Sequence, residues 1–196
     1  MKILRKKILI NDGKFSNTSE YETVLNNIEE AIFAIENPKG SGAFLLYDKK
    51  KGNGVKPIKD AFILKLNELG WKDEKLVVDP NLKKRKIDTT KELSTGKYFG
   101  VEWETGNISS SHRAINRLLK GMHEGVLEGG VLVLPSRKMY NYLTDRVGNF
   151  KELEPYFEVM SDSTAPGILL IIEIEHDGVR DDIPSIKKGT DGRALI

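Results

Sequence analysis

Gly100-Val-Glu-Trp-Glu-Thr-Gly106 is the stretch on which the fold turns. In an extended strand alternate side chains share a face, so Glu102 and Glu104 point one way and Trp103 the other. Two like charges on one face repel unless cations neutralise them, and Asp88, in the preceding Ile87-Asp88-Thr89, offers another oxygen from a neighbouring strand. Hard oxygen donors of this kind suit Mg²⁺, and a pair of such ions can activate a water and neutralise the leaving oxygen of a phosphodiester. An exposed acidic edge strand would carry the same Glu-x-Glu, and the pattern alone favours that plainer reading.

Outward from this centre, residues 86–89 and 98–104 read as two strands joined by a turn near Thr95 and Gly96. Asn107-Ile-Ser-Ser-Ser111 then starts a helix with Ile115, Leu118, Leu119 and Met122 on one face, which Gly125 ends. Its first turn offers N–H groups and short polar side chains to phosphates or base edges, and the plainer alternative is capping by Ser109 or Ser110. Upstream, residues 20–36 have amphipathic helical spacing up to Pro38, and 43–47 read as a short buried strand. Pro57 opens a helix with Ile58, Phe62, Leu66 and Leu69 on its apolar face and Gly70 as its stop, and 76–78 read as extended. Residues 131–134 and 168–174 are apolar enough for central strands, while 139–143 and 150–156 read as helical. An α/β fold follows, with a central mixed β-sheet flanked by helices. No repeat or linker divides the 196 residues, so 1–196 is expected to form a single domain.

With 39% hydrophobic and 31% charged residues the chain suits a globular protein, and no apolar run has the length of a membrane span. The basic start of the sequence lacks a signal peptide's apolar core and cleavage site, which makes the cytoplasm the expected location. Zero cysteines exclude disulfides and thiolate zinc sites, and three scattered histidines offer no imidazole cage, so any metal needs oxygen ligands. The net charge of +2 conceals basic runs at 49–51 and 83–86. Lysines beside an acidic centre are compatible with a held polyanion, although either run alone reads more simply as a solvated loop.

At Glu102-Trp-Glu-Thr-Gly-Asn-Ile-Ser-Ser-Ser-His-Arg113 the sequence resembles the BamHI family of type II restriction endonucleases. The likeness continues in order through Asn116-Arg-Leu-Leu119, Tyr142-Leu-Thr-Asp-Arg-Val147, Asn149-Phe150, Glu152-Leu-Glu-Pro-Tyr-Phe-Glu158 and Lys188-Gly-Thr-Asp-Gly192, with Pro57-Ile-Lys59 upstream. It spans Gly54 to Gly192 in blocks; the first half-hundred residues match poorly, and the family's terminal helix has no matching residues after Gly192.

The resemblance implies a PD-(D/E)XK restriction-endonuclease-like core. Asp88 and Glu102 would bridge two Mg²⁺ ions, with Glu74 (in Trp71-Lys-Asp-Glu-Lys75) as a further ligand and the Trp103 carbonyl completing the shell. Glu104, where the wider superfamily usually carries lysine, would orient or deprotonate the attacking water, and Lys59 would contact a phosphate near the cut. Arg146 would grip the O6/N7 edge of guanine and Asp145 the N4 amine of its cytosine. Arg113 and Asp191 would read the next G·C pair, Asn107 and Ser109 would lie near the inner A·T pair, and Lys188 and Gly189 would approach the minor groove. The implied site is double-stranded GGATCC, cut after the first G.

A palindrome suits two-fold related subunits, so a homodimer is expected through residues 110–124 and 156–158, with His123 and Glu158 pairing across it. A cognate DNA methyltransferase would act in the same system without a stable complex. A non-cleaving DNA-binding regulator and a structure-specific repair nuclease remain as alternatives. Intact carboxylates count against the first, and the Asp145-Arg146 block favours sequence readout over the second.

Overall fold

Val131-Leu-Val-Leu134 and Ile168-Leu-Leu-Ile-Ile172 have no polar face to turn to water, and the computed structural model, which describes residues 1–73, 86–144 and 146–188, sets both in the middle of its main sheet. The strands in chain order are β1 (Lys2–Asp12), β2 (Leu45–Tyr47), β3 (Lys72–Asp73), β4 (Thr89–Glu92), β5 (Tyr98–Trp103), β6 (Leu127–Pro135), β7 (Gly167–Glu175) and β8 (Gly178–Arg180). The helices are α1 (Ser19–Phe33), α2 (Lys56–Glu68), α3 (Ile108–His123), α4 (Arg137–Tyr140), α5 (Phe150–Leu153) and α6 (Phe157–Ser161). Six strands pair in the order β1-β7-β6-β5-β4-β3. β5, β6 and β7 are parallel, and β1, β4 and β3 join antiparallel.

Alternation along β6 sorts the core into two layers. Val131 and Val133 face α1 and α2, where they join Ile28, Ile32, Phe62 and Leu66. Leu132 and Leu134 face the opposite way, among Ile115, Leu118, Met122, Phe150 and Leu153 from α3 and α5. The register Glu102↔Leu132 and Trp103↔Val133 therefore puts Glu102 on the α3 side and the Trp103 ring on the α2 side, 4.6 Å from the Phe62 ring centroid. This is the separation that the Glu-Trp-Glu alternation predicts.

Several elements differ from expectation, each for a local reason. The strand expected at 86–89 begins only at Thr89, because Asp88 spends its side chain, not its backbone, on the next donor of β5, the Trp103 N–H at 2.9 Å. β1, eleven residues long at the sheet edge, was not anticipated; register shifts between Ile3 and Arg5 and between Ile8 and Ile10 break the alternation that would have marked it. The strand expected at 43–47 is β2, which pairs with β8 in a separate two-stranded sheet. The helix expected at 150–156 divides into α5, a 3₁₀ turn at Glu154–Tyr156 and α6, since Pro155 has no N–H to continue a ladder. α4 starts before the expected 139–143, at Arg137, where Ser136 caps it. Residues 76–78 lie outside the described residues. Among the described residues no helix is long and apolar enough to cross a membrane.

Candidate active site

Where β4 begins and β5 ends, Asp88 lies close enough for its charge to act on both Glu102 and Glu104. Asp88 is held from both sides, Oδ2 accepting from the Trp103 N–H and Oδ1 lying 2.5 Å from Lys59 Nζ of α2. Glu102 is 2% exposed, and its Oε1 accepts from Arg117 Nε of α3 at 2.6 Å. Glu104, 5% exposed, accepts from the Gly106 N–H at 2.5 Å through Oε1 and from the Ser111 hydroxyl through Oε2.

Burial pushes the Glu102 carboxyl up from 4.5 to about 7; the Arg117 hydrogen bond opposes this and the charge of Asp88 adds to it. Burial likewise raises Glu104 to about 7, against the hydrogen bonds from Ser111 and Gly106 and again with help from Asp88. Burial disfavours the Arg117 charge, yet the hydrogen bond to Glu102 and the fields of Glu102, Asp88 and Glu104 together hold its pKa above the ordinary value. The three acids thus form one electrostatic cluster that is short of positive charge.

The donor chemistry suits a hard divalent cation. Asp88 immediately precedes β4 and Glu102 lies on the neighbouring β5, and both already attract a side-chain cation, Lys59 and Arg117. Among the described residues no three acidic or histidine side chains gather closely enough to hold a metal by themselves. Glu74, the further ligand expected from the sequence, lies outside the described residues. An open cleft of about 680 Å³, lined by Lys59, Asp60, Asn67, Asp73, Lys86 and Asp88, leads to the cluster.

Beside the acids stands the start of α3. The cap expected from Ser109 or Ser110 is made by Asn107, whose Oδ1 accepts from the Ser110 N–H at 3.2 Å; fixed by β5 just before it, Asn107 alone has the extended backbone a cap requires. Ser109 and Arg113 are exposed on the same first turns, with Arg113 Nη2 donating to Ser110 Oγ at 2.7 Å. Arg146 is exposed nearby in sequence to Gly148, whose N–H donates to the Gly106 carbonyl at 2.7 Å, so the segment carrying Arg146 is bound to the one carrying Glu104.

Lys188 is half-buried in a segment that lies against Gly54. The Gly54 N–H donates to the Ile186 carbonyl at 2.9 Å, and a Cβ on Gly54 would fall 2.0 Å from the Lys187 oxygen. Asp145, Gly189 and Asp191 lie outside the described residues. His123 and Glu158 are exposed at the end of α3 and the start of α6, remote in sequence from the acids, and neither has an ion-pair partner among the described residues.

Three residues that sequence reasoning passed over have structural parts here. Arg117 neutralises Glu102 from fifteen positions away, a pairing with no local signal. Ser111 did leave one: it falls on the buried stripe of Ala114, Ile115 and Leu118, where a hydroxyl needs a partner. Asn53, fully buried, binds the Tyr47 N–H and carbonyl, the Tyr142 carbonyl and the Ile186 N–H with its side chain, while its own carbonyl accepts from the Thr144 N–H. It thereby ties the chain before α2 to the segments leading to Arg146 and Lys188, and only its place in a turn-rich stretch marked it in the sequence.

The family profile described as "Restriction endonuclease BamHI" matches residues 1–193. The chain is 49% identical over 197 residues to the type II restriction enzyme OkrAI of Oceanobacter kriegii, with 100% of both chains covered. It is 34% identical over 199 residues to the type II restriction enzyme BamHI of Bacillus amyloliquefaciens, covering 96% of this chain and 92% of that one. These matches correct the expectation that the first half-hundred residues fall outside the likeness; β1, α1 and β2 belong to it.

Among solved structures, the restriction endonuclease BglII complexed with a DNA 16-mer superposes with a TM-score of 0.61 at 10% identity, covering 89% of this chain and 79% of that one. At that identity the likeness speaks to the fold, a mixed central sheet flanked by helices of the PD-(D/E)XK type. With acids, capped helix and Arg146 segment at one sheet edge, and a sequence match from residue 1 to 193, the chain belongs to the BamHI family of type II restriction endonucleases.

Proposed function

We propose that the chain is a homodimeric endonuclease that cuts double-stranded DNA at GGATCC after the first G, by Mg²⁺-dependent hydrolysis, leaving 5′-overhangs with 3′-hydroxyl and 5′-phosphate ends. The observation that carries this is the meeting of Asp88, Glu102 and Glu104 with the exposed start of α3 and the Arg146 segment. Asp88, Glu102, Glu74 and the Trp103 carbonyl would hold two Mg²⁺ ions. Bound there, the metal supplies Lewis-acid stabilisation of the phosphate and lowers the pKa of the attacking water.

The chain's own groups do the rest. Glu104, fixed through both oxygens, orients the water and takes its proton. Lys59 leaves Asp88 for a phosphate next to the cut, a short movement for a flexible side chain at the cleft wall. Arg146 and Asp145 read the outer G·C pair, Arg113 and Asp191 the next, and Asn107 and Ser109 the inner A·T pair, while Lys188 and Gly189 follow the minor groove.

Residues 1–196 act as one domain, in the cytoplasm, alongside a methyltransferase that marks the same site without forming a stable complex. Two copies associate through α3 and α6, where Tyr156 (49% exposed) and Val159 (74% exposed) present apolar surface and His123 and Glu158 can pair between subunits. Incubation with Mg²⁺ and a plasmid carrying one GGATCC sequence tests the proposal. Discrete linear product at that site is expected; retention without cutting, or nicking regardless of sequence, would replace it with a binding or repair function.

A further inference from the structure

Gly148 has no room for a side chain. A Cβ there would stand 2.3 Å from Ser111 Oγ and 3.4 Å from Glu104 Cγ. Its N–H donates to the Gly106 carbonyl at 2.7 Å, and the Gly106 N–H in turn donates to Glu104 Oε1 at 2.5 Å. Gly106 is closed in as well, since a Cβ on it would meet Ser110 Oγ at 2.5 Å. The wholly buried Ser111 completes the ring with its hydroxyl on Glu104 Oε2. Two residues before Gly148, Arg146 holds φ at +69°, a left-handed conformation that a residue with a side chain adopts only where its surroundings impose it. The buried Val147 and the Gly148–Gly106 hydrogen bond anchor the chain immediately after it.

We propose that Ser111, Gly106 and Gly148 form a positioning link between the Arg146 segment and Glu104, so that seating Arg146 on its base sets the Glu104 carboxylate for the cut. The link rests on the roles of Arg146 and Glu104 given under Proposed function. Its stiffness is geometric. Only Val147 stands between Arg146, the proposed base reader, and Gly148, and Gly148 is packed directly against Ser111. The Ser111 hydroxyl has a single hydrogen to donate, and it donates it to Glu104 Oε2. A shift of the Arg146 backbone must therefore break the bond to Gly106 or displace Ser111, and either changes how Glu104 is held. Arg146 on a wrong base then leaves the enzyme bound but poorly set to cut, and cutting discriminates more sharply than binding.

The test is a double-mutant cycle of Ser111→Ala and Arg146→Ala, read in two ways: metal-free affinity for a GGATCC duplex by mobility shift, and single-turnover cutting with Mg²⁺ at saturating enzyme. Ser111→Ala should bind as the wild type does and cut about 10- to 100-fold more slowly, the cost of a misplaced catalytic group. Arg146→Ala should bind more weakly and, once saturated, also cut about 10- to 100-fold more slowly. The double variant should cut no more slowly than the slower single variant, because both substitutions break one link.

A saturated Arg146→Ala rate equal to wild type, an unaltered Ser111→Ala rate, or two rate losses that multiply would each overturn the link. So would a Ser111→Ala variant whose binding falls in step with its rate, which marks a merely structural hydroxyl. If Ser111→Ala does not fold, Arg146→Ala, at an exposed position, decides alone through its saturated rate. A wild-type protein that fails to cut GGATCC sinks the proposed function; a wild type that cuts while these variants behave independently sinks only the link.

Discussion

In the proposed mechanism Glu104 must be charged to take a proton, yet it is buried where charge is disfavoured. Raised by burial from 4.5 to about 7, its ionisation opposes folding by about 3 kcal/mol. The sign follows from proton linkage. A carboxyl that binds its proton more tightly folded than unfolded favours the fold below pH 4.5 and loses that advantage as pH rises through about 7. In metal-free protein, Glu104→Gln should match the wild type near pH 5 and exceed it in stability by up to about 3 kcal/mol near pH 8. Denaturant midpoints at the two pH values check this, and a constant difference would show that Glu104 ionises freely in the fold. In the proposed mechanism Glu102 serves the metal more than the docking of DNA, so Glu102→Ala should abolish cutting while specific DNA binding persists. Full activity in the purified variant would remove Glu102 from the chemistry.

α3 carries three tasks on one element. Its cap is Asn107, its buried stripe holds Ser111 above Glu104, and Arg117 reaches back to Glu102. The first task can be separated from DNA recognition by choice of substitution. Asn107→Ala removes the cap and should cost about 1 kcal/mol of stability, whereas Asn107→Asp keeps an acceptor for the Ser110 N–H and should unfold like the wild type. The new negative charge at the proposed DNA face should nevertheless weaken binding. Thermal unfolding and mobility shift together read the two effects, and normal DNA affinity in Asn107→Asp would place this turn away from the duplex. β4 and β5 make their contribution through register: pairing Thr89 with Val101 leaves Asp88 beside the Trp103 amide, within reach of the Glu102 and Glu104 fields.

At the scale of the whole molecule, the parallel strands β5, β6 and β7 end on one edge of the sheet, and the chain segments that leave that edge carry the acids, the start of α3 and the approach to Arg146. A two-fold axis beside α3 and α6 would present two copies of this edge to the two halves of a palindrome. Charge reversal by Glu158→Lys, next to the exposed Tyr156 and Val159, should shift the protein toward monomer in sedimentation velocity and lower its affinity for a full site. A sedimentation profile identical to wild type would move the association surface elsewhere.

The sequence alone determined the elements whose pattern is local. The middles of β6 (131–134) and β7 (168–172) are apolar on both faces because both faces are covered; α1, α2 and α3 repeat apolar residues at helical spacing and end at Gly or before Pro. The opposed faces of Glu102 and Trp103 follow from strand geometry, and the family resemblance named the acids and the proposed base readers. Tertiary structure decided what depends on partners far along the chain. β1 is a strand because β7 offers an edge, and its bulges hid the alternation. Arg117 meets Glu102, Asn53 gathers segments up to 133 residues away, and Gly148 locks onto Gly106 only once the sheet has formed. Periodicity records which side of an element faces the core, but the pairing of buried polar groups depends on which elements the fold sets side by side.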